Sequence, residues 1–518
     1  MSQINTNVQS LIAQRVLGQN NRGLALSLER LSTGLRINRG ADDPAGLIAS
    51  ENLRAEKTAL GAAIKNAERA EQVVNIAEGG LTEIAALLNE VEGLITSTAN
   101  TAGLSLEERQ ANQLQIDSIL QTIDRVAAAT SFQGLRLLNG NLDYTTSNIA
   151  GQVAEFRVNG AKLGFESTLD VDVVVTNSAQ VGGYYLSLAG ASLDLGGATD
   201  SFVIEVAGAE GARELSFASG TTLEAIVNAI NTFTDVTGVK AVASTNNTGV
   251  RLESTGFGSS EFVSVKVVND GGIGSANNEG LYNYNATNTN AADATTQLAF
   301  NSTAAGNGVL DRGQDLAATI NGIQAVANGT VVSINTDFLN VEIDLNSGAA
   351  PMGQANAQTL GRVEAFTITG GGADFQLASK VDIAGKVSLG VSNVAARSVG
   401  RTSIDGTTYF LADLGGGKNL NVVDGDLTSA QRVTSSAIKQ ISSLRGRLGA
   451  FQKNTIGATI RSLGVSLENT TAAESAIRDT DFAAETAALT RAQILVSSNT
   501  NVLSLANAQP QNVLQLLG

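Results

Sequence analysis

The sequence predicts an α+β multidomain chain: a long coiled-coil and helical-bundle core formed by both termini, with a β-rich inserted surface domain between them. Three observations predict it. Both ends carry apolar residues at alternating spacings of 3 and 4, the pattern of a packed helical seam. The middle alternates apolar and polar residues between Gly, Asn and Thr clusters, the pattern of half-buried strands. Charge divides at the same places. Residues 1–40 hold five Arg and one Glu, residues 41–150 hold 7 basic and 15 acidic side chains, residues 151–425 hold 13 and 27, and residues 426–518 hold 8 and 6, a net −16.

In the first segment Ile4, Val8 and Leu11 are spaced 4 and 3, and Leu24, Leu28, Leu31 and Leu35 are spaced 4, 3 and 4. Asp42-Asp43-Pro44 opens the next helix, because an acidic N-cap bonds a free N–H and Pro at the first helical position lacks one. Its stripe reads Leu60, Ile64, Ala67, Glu71, Val74, Ala77, Leu81, Ile84, Leu88, Val91, Ile95. Two successive spacings of 3 before Ala77 read as a stammer, a local change of phase. Gly79-Gly80 follows. Two glycines cost a helix about 2 kcal/mol against alanine, so a break there is the alternative to an unbroken rod of about 85 Å. Ser105-Leu-Glu-Glu108 is a capping box. The helix after it carries Ile116, Leu120, Ile123 and Ala127 and ends before Phe132-Gln-Gly134, with a turn at Asn139-Gly140.

In the middle, Glu155–Val158, Phe202–Val206, Val250–Leu252, Val263–Val267 and Val341–Leu345 read as strands, and Asn159-Gly160 reads as a hairpin turn. Residues 223–242 and 315–326 share an Ile-Asn pair (Ile230-Asn231 and Ile320-Asn321) after an amphipathic stretch. They predict two copies of one helix-plus-strand unit. Residues 283–307, rich in Asn, Thr and Ala, read as a loop. Beyond them Ala437, Ile441, Leu444, Leu448, Phe451, Thr455 and Ala458 keep a strict 4-3 alternation. The last helix, about 480–515, carries Leu495, Val502, Leu505, Leu514 and Leu517.

The chain has no Cys, His or Trp. That excludes disulfides, thiolate nucleophiles, Cys/His zinc sites and any Ser-His-Asp triad. The acidity argues against nucleic acid as a partner. No apolar run approaches a membrane span and no signal-peptide pattern opens the chain, so no membrane partner is expected, and a cytosolic protein or one exported unprocessed would both fit. No cofactor is expected. Asn269-Asp-Gly-Gly272 and Asp424-Gly-Asp426 are read as turns rather than calcium loops, and the carboxylates of the middle as a solvated surface. Taken alone, the end stripes more often mean an ordinary bundle core than a polymer interface. An a/d stripe that cannot bury itself needs a partner.

Five stretches resemble bacterial flagellin, the subunit of the flagellar filament: SQINTNVQSLIAQRVL at 2–17, LERLSTGLRINRGADDPAGLIASENLRAE at 28–56, SFQGLRLLNG at 131–140, IRDTDFAAET at 477–486 and RAQILVSSNTNVLSLANAQPQNVLQLLG at 491–518. The resemblance implies an inner-core coiled coil from 1–42 and 478–518. It implies an outer-core bundle with a β-hairpin from 43–150 and 375–477, and a surface-exposed β-rich insertion over 151–374 with one or two subdomains. It implies a non-enzymatic subunit that polymerises with itself and is secreted into an extracellular filament for swimming. Its termini would stay disordered until assembly and engage an export chaperone and the flagellar type III apparatus. Cap and hook-junction proteins would be neighbours. A hook–filament junction protein and a stalked surface adhesin are the alternatives. Burial of Ile4, Val8, Leu11, Leu24, Leu28, Leu31, Leu35, Leu495, Val502, Leu505, Leu514 and Leu517 would drive assembly. The N-terminal arginines would pair with carboxylates of neighbours such as Glu29 or Asp481. In many flagellins a segment of the type LQRVREL is read by Toll-like receptor 5. Here Leu88 to Leu94 reads LNEVEGL, with Glu90 and Gly93 in place of Arg and Glu, and Gln115 in place of a Glu on the next helix. Weak receptor recognition is expected.

Overall fold

The structure, a computed structural model, describes residues 6–517 except 101, 165–166, 189, 196, 198–199, 245–248, 274–277, 285–291, 346–359 and 405–406, with backbone only over 510–517. Its helices are α1 (Val8–Thr33), α2 (Pro44–Thr98), α3 (Leu106–Ala129), α4 (Leu223–Asn231), the short α5 (Thr234–Thr237) and α6 (Thr303–Asn307), α7 (Leu427–Ala450), α8 (Gly457–Arg478) and α9 (Phe482–Leu517). By contact the chain divides into two compact units, residues 1–78, 375–386 and 445–518, and residues 79–374 and 387–444.

The local chemistry of the helix starts is as the sequence requires. Asp43 accepts a bond from the Gly46 N–H at 2.9 Å, and Ser105 and Glu108 form the reciprocal capping box. Asp42 accepts from the Arg39 and Asn38 N–H groups, which hold its carboxyl below the ordinary range. Helix α2 runs 55 residues through Gly79-Gly80 without a break. Nor does it hold a stammer. Its buried apolar residues are Leu60, Ala63, Ala67, Ala70, Val74, Ala77, Leu81, Ile84, Leu88, Val91 and Ile95, in strict 3-4 alternation. The sequence reading chose the bulkier Ile64 and Glu71. The packed positions are the alanines beside them, because a narrow seam brings backbones close. Gly80 shows the same demand. A Cβ there would lie 2.6 Å from the Thr130 hydroxyl and 2.9 Å from a Leu138 methyl.

In the first unit, α8 lies antiparallel to the start of α2. Lys57–Glu474 at 2.8 Å and Arg478–Glu51 at 2.7 Å tie the two. Between α7 and α8, residues Phe451–Ile456 form a π turn. One extra residue per turn shifts the buried face. Ile456 is therefore fully buried, Thr455 only half, and Ala458 faces solvent, so the strict alternation expected across Phe451, Thr455 and Ala458 fails after Phe451.

In the second unit, Ile116, Leu120, Ile123 and Ala127 of α3 are all buried. Gln113 on that helix donates to the Leu414 carbonyl and accepts from Val422 N–H, fixing the segment before α7. The inserted region is two sandwiches of antiparallel strands. The first stacks 144–147, 169–177, 317–320, 323–324 and 361–371 on 153–161, 326–328, 331–335 and 339–345 around one core. The second stacks 183–187, 239–243, 249–254 and 280–282 on 201–208, 212–218, 262–269 and 309–312, with α4 completing its core. Every expected strand is present. One turn reading and one helix reading are corrected. Asn159-Gly160 lies inside the strand Val153–Ala161 as a bulge: Gly160 pairs with Asn340 and Val158 with Val341, leaving Asn159 extra. The second Ile-Asn copy has no helix. Ala317–Ile320 is a strand, and Asn321 and Gly322, both at positive φ (48° and 79°), turn it into a hairpin. The two copies share residues but not a structure.

The chain enters and leaves the second sandwich side by side, Gln180 and Gln314 exchanging backbone bonds of 2.8 and 3.0 Å. Next to them Asp315 accepts from the Ser259 N–H and hydroxyl and from the Gly329 N–H. Ser259 belongs to a loop of the second sandwich whose Phe257 packs on the core of the first. Burial pushes the Asp315 carboxyl up, but the Ser259 and Gly329 bonds outweigh it and hold the group below its ordinary value. The folded pKa is the lower one. This tie is therefore complete above about pH 4 and is lost as pH falls through the unfolded value toward the folded one. Asp315→Ala should speed proteolysis of the 255–261 loop at pH 7, and the difference from the parent should vanish near pH 2. Equal cleavage at pH 7 would remove the tie's role.

Candidate functional site

Both ends of the chain meet in the first unit. Asn7 caps α1 by accepting from the Ser10 N–H at 3.0 Å, and its amide donates to the Ala506 carbonyl of α9 at 2.8 Å. The Ser10 hydroxyl bonds the Asn507 side chain at 2.7 Å. At the far end Gly34, at φ 75°, ends α1. The chain then pairs with the residues before α9: Arg36 N–H to Arg478 carbonyl at 2.7 Å, and Thr480 N–H to Gly34 carbonyl at 2.9 Å. Asp481 caps α9 through the Ala483 and Ala484 N–H groups. The helices are thus an antiparallel pair.

Their seam differs from the stripe that the large residues mark. On α1 a row of buried or half-buried positions runs Ser10, Ala13, Leu17, Asn20, Leu24, Ser27 and Leu31. On α9 the matching row runs Glu485, Ala488, Ala492, Val496, Asn499, Leu503 and Ala506. Small and polar residues predominate at the contact, which is how an Asn side chain on one helix reaches a carbonyl of the other. Their 3-4 spacing was present in the sequence, but a search for large apolar residues passes over it.

Six of the stripe residues lie outside. Val8, Leu11, Leu28, Leu495, Val502 and Leu505 are 54, 58, 50, 43, 50 and 67 % exposed. Leu24 and Leu31 are half-buried on the seam. Leu35 is past the end of α1, in a single β-bridge with Asp479, so the stripe does not continue to it as a helix. Ile4 and the side chains of Leu514 and Leu517 lie outside the described residues. Phe482 and Ile494 join the exposed group; their positions in the sequence carried no stripe and were missed.

Three N-terminal arginines are used within the chain. Arg30 pairs with Glu485 at 3.6 Å, Arg39 with Glu29 at 3.0 Å, and Arg36 donates to the Ile477 carbonyl. Glu29 thus already pairs within the chain, and Asp481 caps α9 through one of its two oxygens. In the segment compared with the receptor-read pattern, Leu88 is fully buried in the helical core, Leu94 is half-buried, and Glu90, Gly93 and Gln115 are exposed. Leu88 is therefore a packing residue. Among the described residues no group of acidic side chains is placed to hold a metal ion, and no helix is long and apolar enough to cross a membrane.

Two chain ends folded against each other, apolar side chains left outside, and a β-rich insert between them define a structural subunit of a helical polymer. Known families agree. The family model for the bacterial flagellin N-terminal helical region matches residues 4–143, that for the bacterial flagellin C-terminal helical region matches 432–517, and that for the flagellin hook IN motif matches 201–256. The chain is 29 % identical to Flagellin B of Helicobacter pylori over 541 residues and to Flagellin of Salmonella typhimurium over 550, covering 99 % of each partner in both alignments. Among solved structures it is similar to FliC from Burkholderia pseudomallei (13 % identity, 74 % of this chain and 99 % of that one, TM-score 0.22) and to flagellar hook associated protein-3 from Legionella pneumophila (10 %, 82 % and 97 %, TM-score 0.28). TM-scores this low carry no argument. The chain belongs to the bacterial flagellin family and is a structural subunit of the flagellar filament, the appendage of swimming motility. The hook IN motif match covers the first Ile-Asn copy, Ile230-Asn231.

Proposed function

We propose that this subunit polymerises by burying the exposed rows of α1 and α9 against other copies, and that its ends order only on assembly. The observation that carries this is the exposure of Val8, Leu11, Leu28, Leu495, Val502 and Leu505 on a helix pair whose fully buried residues, among those described, are Ser10, Ala13, Ser27 and Ala506. Ordering each residue costs about 1–2 kcal/mol. The fully buried Ser10, Ala13, Ser27 and Ala506 remove little apolar area, and Leu17, Leu24, Leu31, Val496 and Leu503 are buried only in part, so the pair by itself offsets only part of that cost. A fully buried aliphatic side chain contributes about 1.5–3 kcal/mol, and those side chains are reserved for neighbours. Hydrogen exchange tests this: α1 and α9 amides should exchange freely in the subunit and be protected in the filament. Equal protection in both would sink the ordering step.

Family resemblance supports the rest of the reading. The inner core comprises 1–42 and 478–518, the outer core 43–150 and 375–477, and the surface insertion 151–374. Unordered ends suit passage through the flagellar type III apparatus and capture by an export chaperone, and place the mature subunit outside the cell beside cap and hook-junction proteins. The role is structural rather than enzymatic. Screening of charge between −16 subunits beyond about 8 Å makes salt favourable to polymerisation. Toll-like receptor 5 recognises the chain weakly, since an outward Glu90 reverses the charge of the receptor-read pattern. Glu90→Arg with Gly93→Glu and Gln115→Glu should raise receptor activation in a reporter assay at least tenfold. Activation by the unaltered chain at the level of a strongly recognised flagellin would contradict the reading.

A further inference from the structure

We propose that the pair Asn328-Gly329 is a self-modification site, at which the Asp315 carboxylate acts as general base for the conversion of Asn328 to aspartate or isoaspartate. In this reaction the main-chain nitrogen after an asparagine attacks the side-chain amide carbon, and glycine leaves that nitrogen unhindered. Five Asn-Gly pairs occur in the chain, beginning at Asn139, Asn159, Asn307, Asn321 and Asn328. The fold treats them differently. The Asn139 side-chain oxygen accepts from the Asn141 N–H at 3.2 Å. The Asn159 amide donates to the Asn340 side chain, and Gly160 lies in the ladder opposite Asn340. The Asn321 amide is held at both ends, by the Asp172 N–H at 2.8 Å and the Asp170 carbonyl at 3.0 Å. Asn307 and Asn328 are exposed, and their side chains form no hydrogen bond among the described residues. These two differ in what the attacking nitrogen touches. The Gly308 N–H donates to the Ala305 carbonyl at 3.2 Å, which takes up no proton. The Gly329 N–H donates to a carboxylate oxygen of Asp315 at 2.8 Å, which can take one.

Packing explains why so labile a pair stands here. Gly329, at φ 63°, helps turn the strand Val326–Asn328 into Val331–Asn335, and a Cβ on it would lie 2.7 Å from the Phe257 carbonyl. Only glycine fits. Asn328 ends the edge strand of its sheet, so among the described residues no further strand lies beside it. Asp315 is fixed by the Ser259 N–H and hydroxyl as well. As the Gly329 nitrogen bonds to Asn328 Cγ, its proton passes to Asp315. The Cγ–Nδ2 bond then breaks, and the nitrogen leaves as ammonia with the proton that Asp315 returns. Water opens the resulting succinimide at either carbonyl, giving aspartate or isoaspartate. Nothing else is consumed: one amide and one water become one acid and one ammonia. The product adds a negative charge close to the carboxylate that ties the 255–261 loop, and the isoaspartate form lengthens the main chain at the hairpin. Because the reaction needs only water, it proceeds in any folded subunit and marks its age.

The test incubates the full chain in neutral buffer and follows each Asn-Gly peptide by mass spectrometry. Asn328 should convert at least tenfold faster than Asn307, and Asp315→Asn should slow it at least tenfold, within what a positioned general base contributes. The asparagine keeps an oxygen for the Gly329 N–H but cannot take its proton. A merely structural Asp315 gives the opposite sign, because a looser loop frees Asn328 to react faster. The pH profile is a second signature. The groups facing Asp315 are the Ser259 hydroxyl and N–H and the Gly329 N–H, none of which titrates between pH 5 and pH 7. Their bonds hold the Asp315 carboxyl below its ordinary value, so it is ionised across that range. The Asn328 rate should therefore stay level, whereas Asn307, reacting through hydroxide, should gain tenfold per pH unit. In the urea-unfolded chain the two should react within threefold of each other, with or without Asp315→Asn. An Asn328 rate no higher than that of Asn307, an Asp315→Asn variant as fast as the parent or faster, a tenfold rise per pH unit at Asn328, or a preference for Asn328 that persists in urea would each overturn the proposal.

Discussion

The triple variant Leu495→Ala, Val502→Ala and Leu505→Ala should abolish filament growth at concentrations where the parent polymerises, with no loss of stability in the free subunit. All three side chains are exposed in the subunit, between 43 and 67 %. Exposed substitutions of this kind stay within about 0.5 kcal/mol of the parent, and alanine is the better helix former in each case. In the polymer the three changes delete eight carbons. At about 0.8 kcal/mol per buried carbon, full burial makes the loss about 6 kcal/mol per subunit, or about four orders of magnitude in critical concentration. Light scattering with and without filament seeds measures it directly. A critical concentration equal to the parent's would mean that these residues stay in water in the filament.

The second large effect is on folding. Leu88→Ala should cost about 2–5 kcal/mol, the range for a fully buried leucine whose cavity relaxes incompletely. Leu88 is 0 % exposed and lies in the regular buried row of α2, although it opens the segment that resembles a receptor-read pattern. Glu90→Arg, two residues away and exposed, should change stability by no more than about 0.5 kcal/mol. Denaturant midpoints for the two variants separate the roles. If both move the midpoint equally, the assignment of Leu88 to the core is wrong. If they differ as expected, any receptor contact in this segment is confined to outward positions such as Glu90 and Gly93, and a loss of recognition in Leu88→Ala reports unfolding rather than contact.

The helix starts were legible because capping is local: Asp43-Pro44 and Ser105-x-x-Glu108 satisfy N–H groups within one turn whatever the rest of the chain does. Strands were legible where period 2 was clear, as at Phe202–Val206 and Val341–Leu345. What failed involved a choice between two locally acceptable outcomes. Asn-Gly at 159–160 is good turn chemistry, yet the ladder with Leu339–Leu345 continues across it and absorbs the extra residue as a bulge. Asn-Gly at 321–322 is a hairpin turn because Ala317–Ile320 finds a partner in the strand Leu169–Asn177. The same amphipathic pattern stayed a helix at 223–231, where Leu223, Ile226 and Ile230 meet a core.

By itself the sequence determined that both ends are helical, that they flank a β-rich insert, where the helices start, and which family the chain joins. These follow from periodicity, local capping and motif order, none of which needs a three-dimensional neighbour. Only the tertiary structure decided which face of each helix is the seam. Packing two backbones closely selects Ala63 over Ile64, Ala70 over Glu71, and Ser10 and Ala13 over Val8 and Leu11. Side-chain size at a contact is set by the distance between elements, and that distance is a property of the fold rather than of the residues read one after another.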